Sequence, residues 1–186
     1  MKILKILLLS LITVMGLNAN YVDGSGMVFI PNPLVSAGVP YGGCYSHNNG
    51  QTNSCLDGEL ISVTLRDITY NIATGLYELK GPYCEVVDIN QKGYSIPALS
   101  NSNGFNYTRA DEEFASVMCY YHIDLCARRI IELGYPLPDG LKKMKVNPHS
   151  MGSKGGNYNT SENYLNFRSN IIFVSYAGDT KYKIVF

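Results

Sequence analysis

The chain has 186 residues, with 15 Lys and Arg against 15 Asp and Glu and so no net formal charge. A neutral chain without a basic patch gives no electrostatic footprint for nucleic acid. Its longest apolar run is about 12 residues, short of the ~20 that span a bilayer, so no stable membrane span is expected.

That run lies at the start, in MKILKILLLSLITVMGLNAN. Lys2 and Lys5 form a basic n-region, residues 6–17 an apolar h-region, and Ala19 a small residue at the cleavage point. This is the pattern of a secretory signal peptide over residues 1–19, and it predicts export to the periplasm or beyond the cell. Leu17, three positions before the cut, is not the ideal small residue, which leaves an uncleaved anchor as the alternative. Cleavage removes Lys2 and Lys5, leaving 13 basic against 15 acidic residues over a chain sized for one domain.

Residues 20–58 read as a turn-rich opening segment, with DGSG at 23–26, PNP at 31–33 and YGGC at 41–44. Val28, Phe29 and Ile30 are a short apolar run between turns. DGSG lacks the Asp/Asn ladder of a calcium loop. Cys44 and Cys55 flank the polar loop YSHNNGQTNS and are the expected disulfide; closing a loop of about 10 residues stabilises by roughly 2–3 kcal/mol. Export permits such a bond. His47, inside that loop, is expected to be solvated.

Residues 59–90 carry the clearest strand pattern. In ELISVTLRDITYN, Ile61, Val63 and Leu65 fall on one side. NIATG at 71–75 is a turn, and GLYELKGPYCEVVDI supplies two short strands broken at Gly81–Pro82, so an antiparallel hairpin is predicted. Residues 91–107, rich in Gly, Asn and Ser, connect to the next element.

The organising element is DEEFASVMCYYHIDLCARRIIELG at 111–134, which reads as one long helix. Asp111, Glu112 and Glu113 suit the positive end of a helix dipole, and Thr108 with Asp111 resembles a capping box. Gly134 is placed to end the helix and Pro136 to prevent its continuation. Phe114, Val117, Met118, Tyr121 and Leu125 form one apolar stripe; Cys119, Ile123, Cys126, Ala127, Ile130 and Leu133 form a second. A helix apolar on two sides is a core helix, and Tyr120, Tyr121 and His122 belong to that core before they belong to a site. Cys119 and Cys126 lie about 10 Å apart along the axis and cannot bridge each other. With Cys84 they make an odd set, so at least one thiol is free or paired between chains.

Beyond the helix, residues 141–146 read as a strand with an exposed basic face, residues 158–167 as a hairpin, and residues 171–186 as a second hairpin. The succession is that of an α+β chain, a mostly antiparallel sheet with one long buried helix. No C-x-x-C, H-E-x-x-H, G-x-S-x-G or phosphate loop occurs. The residues by themselves support no complete catalytic or metal site.

Several stretches, in order, resemble the thermolysin/fungalysin-like zinc metallopeptidases upstream of their catalytic helix: GSGMVFIPNPLVSAG, LISVTLRDI with LKGPYCEVVDI, FNYTRADEEFASVMCYYHIDLCARRIIELGY, and MKVNPHSMGSKGGNYNTSENYLNF. The resemblance covers about residues 24–168 and implies the fold of that family's amino-terminal lobe over 59–170, with a divergent tail at 171–186. It implies a fragment or remnant without the engine. The family's zinc is held by H-E-x-x-H and a later Glu, and none of these is found here, so no cofactor is expected in this chain. An early stop or frameshift in a peptidase gene would produce such a chain. Family members pair an extended substrate with a sheet edge; the matching positions are Gly155, Gly156, Asn157 and Tyr158, with an extended peptide or protein as partner. The family's usual Asn-Ala pair is Gly155-Gly156 here, so a plain turn before a hairpin stands beside the substrate-binding reading. Without the catalytic helices, an apolar face including part of the long helix is expected to be exposed. The rival expectation is a complete secreted binding or surface protein built on the same lobe and closed by residues 171–186.

Overall fold

The computed structural model describes residues 20–45, 54–88, 98–137, 143–148, 156–159 and 164–167. The expected signal peptide, His47, His149, Gly155 and the segment 171–186 lie outside the described residues.

Two sheets share one core. The first has five strands in the order β5-β3-β2-β1-β6. Here β1 is Asn20–Val28, β2 Ile61–Asn71, β3 Leu76–Glu78, β5 Leu99–Ser100 and β6 Gly104–Phe105. All its pairings are antiparallel except β1 with β6. The predicted β2–β3 hairpin is present. Gly75 closes its turn with a left-handed backbone, and the Asn71 side chain accepts from the Ala73 and Thr74 amides.

The second sheet was not foreseen. Its order is β4-β7-β9-β8, with β4 Cys84–Val86, β7 Met144–Asn147, β8 Gly156–Asn159 and β9 Tyr164–Phe167. β4–β7 and β7–β9 are parallel, and only β8–β9 is antiparallel. The expected mostly antiparallel sheet is the first of the two, and the second, mostly parallel sheet is an addition to it. The break at Gly81–Pro82 is the physical reason: it lets the chain leave β3 and enter the other sheet as β4. The basic face expected near residue 145 is partly answered, since Glu85 on β4 holds Lys80 at 3.1 Å and Lys143 at 3.5 Å.

The reading of DGSG as a turn is also corrected. It lies inside the nine-residue β1. Glycine serves close approach there: a Cβ on Gly26 would sit 2.8 Å from Val117 Cγ1 and 2.9 Å from Leu65 Cδ1. Removing that side chain lets β1 pass directly beneath the long helix.

Three helices are described: α1 (Pro33–Ala37), α2 (Ser54–Asp57) and α3 (Phe114–Glu132), with a 3-10 turn at Gly43–Tyr45. α1 is capped by Asn32, whose Oδ1 accepts from the Val35 amide at 3.0 Å. The Cys44–Cys55 disulfide is formed, with Cα atoms 5.9 Å apart, and joins the 3-10 turn to α2.

α3 starts three residues later than expected, so Asp111, Glu112 and Glu113 precede it rather than fill its first turn. The Thr108–Asp111 contact is the cause. Asp111 Oδ2 accepts from the Thr108 amide at 2.8 Å and from its hydroxyl at 3.0 Å, closing a separate turn. At the other end Gly134 takes a left-handed backbone, the Tyr135 amide donates to Ile130 O and the Gly134 amide to Ile131 O. That double bond is the Schellman ending the glycine promised.

The core is built from Val28, Phe29, Leu65, Ile68, Phe105, Val117, Tyr120 and Val146, all fully buried, with Cys84 and Cys119 among them. Phe29 and Phe114 meet edge to face, centroids 5.5 Å apart. α3 is buried over its first half. Leu125, Cys126, Ile131 and Leu133 in and just beyond its second half are exposed. The long helix is thus buried over its first half, and the apolar surface expected to include part of it is exposed at the far end, where the second stripe meets solvent.

Candidate functional site

Two places bear on function: the outer edge of β8, and the polar cluster between α3 and β2. Gly156, Asn157 and Tyr158 fall on β8, the outermost strand of the second sheet. β8 pairs with β9 over Gly156–Asn159, and among the described residues nothing pairs with its other side. A strand in that position turns alternate N–H and C=O groups outward, ready to extend the sheet.

The cluster is built on a bulge. Register between β1 and β2 shifts between Val22 and Gly24, and Asp67 sits in the extra step with φ of 54°. A non-glycine residue there is uncommon, and Asp is among the types that tolerate it. The Asp67 amide donates to Asp23 Oδ1 at 3.1 Å. Its own carboxylate is thereby aimed at α3, where Arg128 Nη2 donates to Asp67 Oδ2 at 2.6 Å. Arg128 also donates from Nε to Asp124 Oδ2 at 2.7 Å and from Nη2 to Asp124 Oδ1 at 3.2 Å. Its guanidinium lies 5.1 Å from the centroid of the Tyr83 ring. Burial pushes the Asp124 carboxyl above the usual carboxylate range, against the pull of Arg128. Hydrogen bonds to Asp124, more than those to Asp67, hold Arg128 firmly charged.

Tyr120 ties the same region together. Its Oη donates to Arg66 O at 2.7 Å, and burial raises its pKa well above that of a free phenol. Gly81 makes room for this hydroxyl: a side chain there would strike Tyr120 Oη. His122 Nε2 donates to Phe29 O at 3.0 Å, and burial lowers the pKa of its ring. Tyr121 stacks edge to face on His122 at 5.1 Å. Tyr120 and His122 thus act as anchors of α3, as the core reading expected.

No protein-family model, curated protein or solved structure matches this chain.

Among the described residues no group of three His, Cys, Asp or Glu side chains is placed to hold a metal ion. His122 Nε2 serves Phe29, and Asp67 and Asp124 both serve Arg128. Cys84 and Cys119 are buried thiols; burial pushes Cys119 up to about 12 and Cys84 likewise upward, so both stay protonated and unreactive.

Sequence reasoning missed Asp67 and Arg128, which are 61 positions apart. The one local signal was Asp124 and Arg128 at helical i, i+4 spacing, a pair that reads as an ordinary surface rung until β2 is brought beside it.

Proposed function

We propose that this chain is an exported peptide-holding lobe, resembling the amino-terminal lobe of a zinc metallopeptidase, and that it binds an extended peptide without hydrolysing it. The peptide adds to β8 by main-chain pairing, with Gly156, Asn157 and Tyr158 as the contact row and Gly155 beside them. The observation that carries the reading is the position of β8 at the open edge of the second sheet. Glycine at 155 and 156 keeps the backbone approachable and supplies no side-chain specificity, so affinity comes from the backbone. The signal-like start and the Cys44–Cys55 disulfide support export. Among the described residues no helix is long and apolar enough to cross a membrane. Zinc belongs to the complete peptidases of the resembled family, where H-E-x-x-H supplies the ligands.

The test uses purified residues 20–186 and an unfolded casein. Zinc content, casein cleavage and amide exchange in the presence of casein are measured together. Protection of the amides at 156–159 without cleavage is the expected result. Stoichiometric zinc with chelator-sensitive cleavage overturns the reading, and so does unchanged exchange at 156–159 under saturating casein.

A further inference from the structure

One end of the first sheet carries aromatic and aliphatic side chains that the core does not absorb. The register gathers them. Asn20, Tyr70, Tyr77 and Ser100 form one row across β1, β2, β3 and β5, and Tyr21, Thr69, Glu78 and Leu99 form the next. Directly paired residues share a face of a sheet, and successive rows alternate. Tyr70 and Tyr77 therefore lie on one face, with ring centroids 4.9 Å apart. Tyr21 and Leu99 lie on the other, both exposed. Beyond these rows the chain turns from β2 to β3, and Ile72 stands in that turn, 74% exposed.

Isoleucine is out of place there, because turns favour Gly, Pro, Asn, Asp and Ser. It is not needed to close the turn either. The Gly75 amide donates to Asn71 O at 2.8 Å, and the Asn71 side chain serves the Ala73 and Thr74 amides. A single exposed apolar side chain is ordinary, but one set beyond tyrosines on both faces of a sheet is not scattered. Charge is sparse around it. Among the described residues 20–23, 68–78 and 98–101, only Asp23 and Glu78 are charged. Both carboxylates are engaged within the fold: Glu78 Oε1 accepts from Asn71 Nδ2 at 2.7 Å, and Asp23 Oδ1 from the Asp67 amide at 3.1 Å.

The leader enters the fold at this same end. Its apolar run, residues 6–17, is separated only by residues 18 and 19 from Asn20, the first residue of β1 and the partner of Tyr70. An apolar run of that kind lies in the bilayer during export, whether it is then cleaved or kept as an anchor. With either fate, the row of Asn20 and Tyr70 is the part of the fold that directly follows the lipid-embedded segment. Tyrosine rings favour the headgroup level of a membrane, and aliphatic side chains the acyl boundary beneath it.

We propose that this end of the first sheet is a membrane contact, with Ile72 entering the acyl boundary of a bilayer and Tyr21, Tyr70 and Tyr77 at headgroup level around it. The contact is apolar and aromatic, so it takes zwitterionic lipid and does not depend on anionic headgroups. It is on a different sheet from β8 and does not rest on the peptide-binding reading.

The experiment uses the chain of residues 20–186, so that no leader contributes, and phosphatidylcholine vesicles. Flotation of the unsubstituted chain measures binding. The chain contains no Trp, so Ile72→Trp and, at the exposed end of α3, Leu133→Trp each supply a single fluorescent reporter. Vesicles are expected to float the chain, equally well in 0.5 M salt, to shift the emission of the Ile72→Trp variant to shorter wavelength, and to allow its quenching by brominated phosphatidylcholine. The Leu133→Trp variant is expected to show neither change. Ile72→Asp is expected to weaken flotation at least about tenfold. Both positions are exposed, and circular dichroism checks that each variant is folded. Absence of flotation overturns the proposal, as does flotation that Ile72→Asp leaves unchanged. Quenching at 133 as strong as at 72 overturns it, because the contact is then not at this end. Flotation that requires phosphatidylglycerol and is lost in 0.5 M salt also overturns it, because the attraction is then electrostatic.

Discussion

The two halves of α3 are made of similar residues and are held by different forces. From Phe114 to Tyr120 the helix is buried almost all round: Val117 and Tyr120 are inaccessible, and Met118 packs where its sulfur accepts the Phe29 amide at 3.3 Å. From Leu125 onward most apolar side chains face solvent, Ala127 being the buried exception, and what ties the helix down is Arg128 between Asp124 and Asp67. Hydrophobic character therefore does not decide which half is core. The neighbours do. β1 reaches the first half because Gly26 lets it approach Val117, and nothing described reaches the far face of the second half.

The largest effect should come from the buried half. Met118→Ala removes a core side chain and should cost about 3 kcal/mol in denaturant unfolding. A cost below about 1 kcal/mol would mean that the first half is less tightly packed than its burial suggests. Asp124→Ala comes next. It leaves Arg128 half buried with one carboxylate, and about 2 kcal/mol should be lost, with faster amide exchange confined to the second half of α3. Uniformly faster exchange would show that the ion cluster supports the whole fold rather than one end of a helix.

His122 sits where the halves join, and pH sharpens the comparison. Burial lowers its pKa, so the unfolded chain binds a proton more readily than the folded one. Its stabilising contribution is complete above the ordinary histidine range, near 6.5, and is lost as pH falls through the folded-state value. The melting temperature should drop between about pH 7 and pH 5, and His122→Gln should flatten that drop. A drop of the same size in the variant would assign it to other groups. The smallest effect is at the exposed end: Leu133→Ser should change stability by less than about 0.5 kcal/mol.

Much of the local structure was legible because it is written in contiguous residues. Gly134 ends α3, Asn71 and Gly75 make the β2–β3 turn, and Cys44 and Cys55 close the loop they flank. What could not be read depends on separation or on absence. β1 looked like turns because glycine favours turns, and its other use, clearance for Val117 and Leu65, appears only when helix and strand are stacked. The second sheet was hidden because β4 is three residues long and finds its parallel partner β7 some sixty positions later. The polar cluster was hidden because Asp67 lies on a strand that otherwise alternates normally. Of the candidate site, a hairpin was legible at residues 158–167, while the edge position of β8 was implied only by the resemblance.

The bulge at Asp67 has a consequence for how β2 can change. Leu65 and Ile68 are both fully buried although they are three positions apart, an odd step that a regular strand would send to opposite faces. The extra residue acts as a phase shift, so each half of β2 keeps its own inward register. Deleting one residue between them would put them two positions apart, on the same face of a regular strand, so the core does not itself require the extra residue. What the deletion would remove is the left-handed step at Asp67 that carries its carboxylate to Arg128, so the irregularity in β2 serves the far end of α3 and not the core.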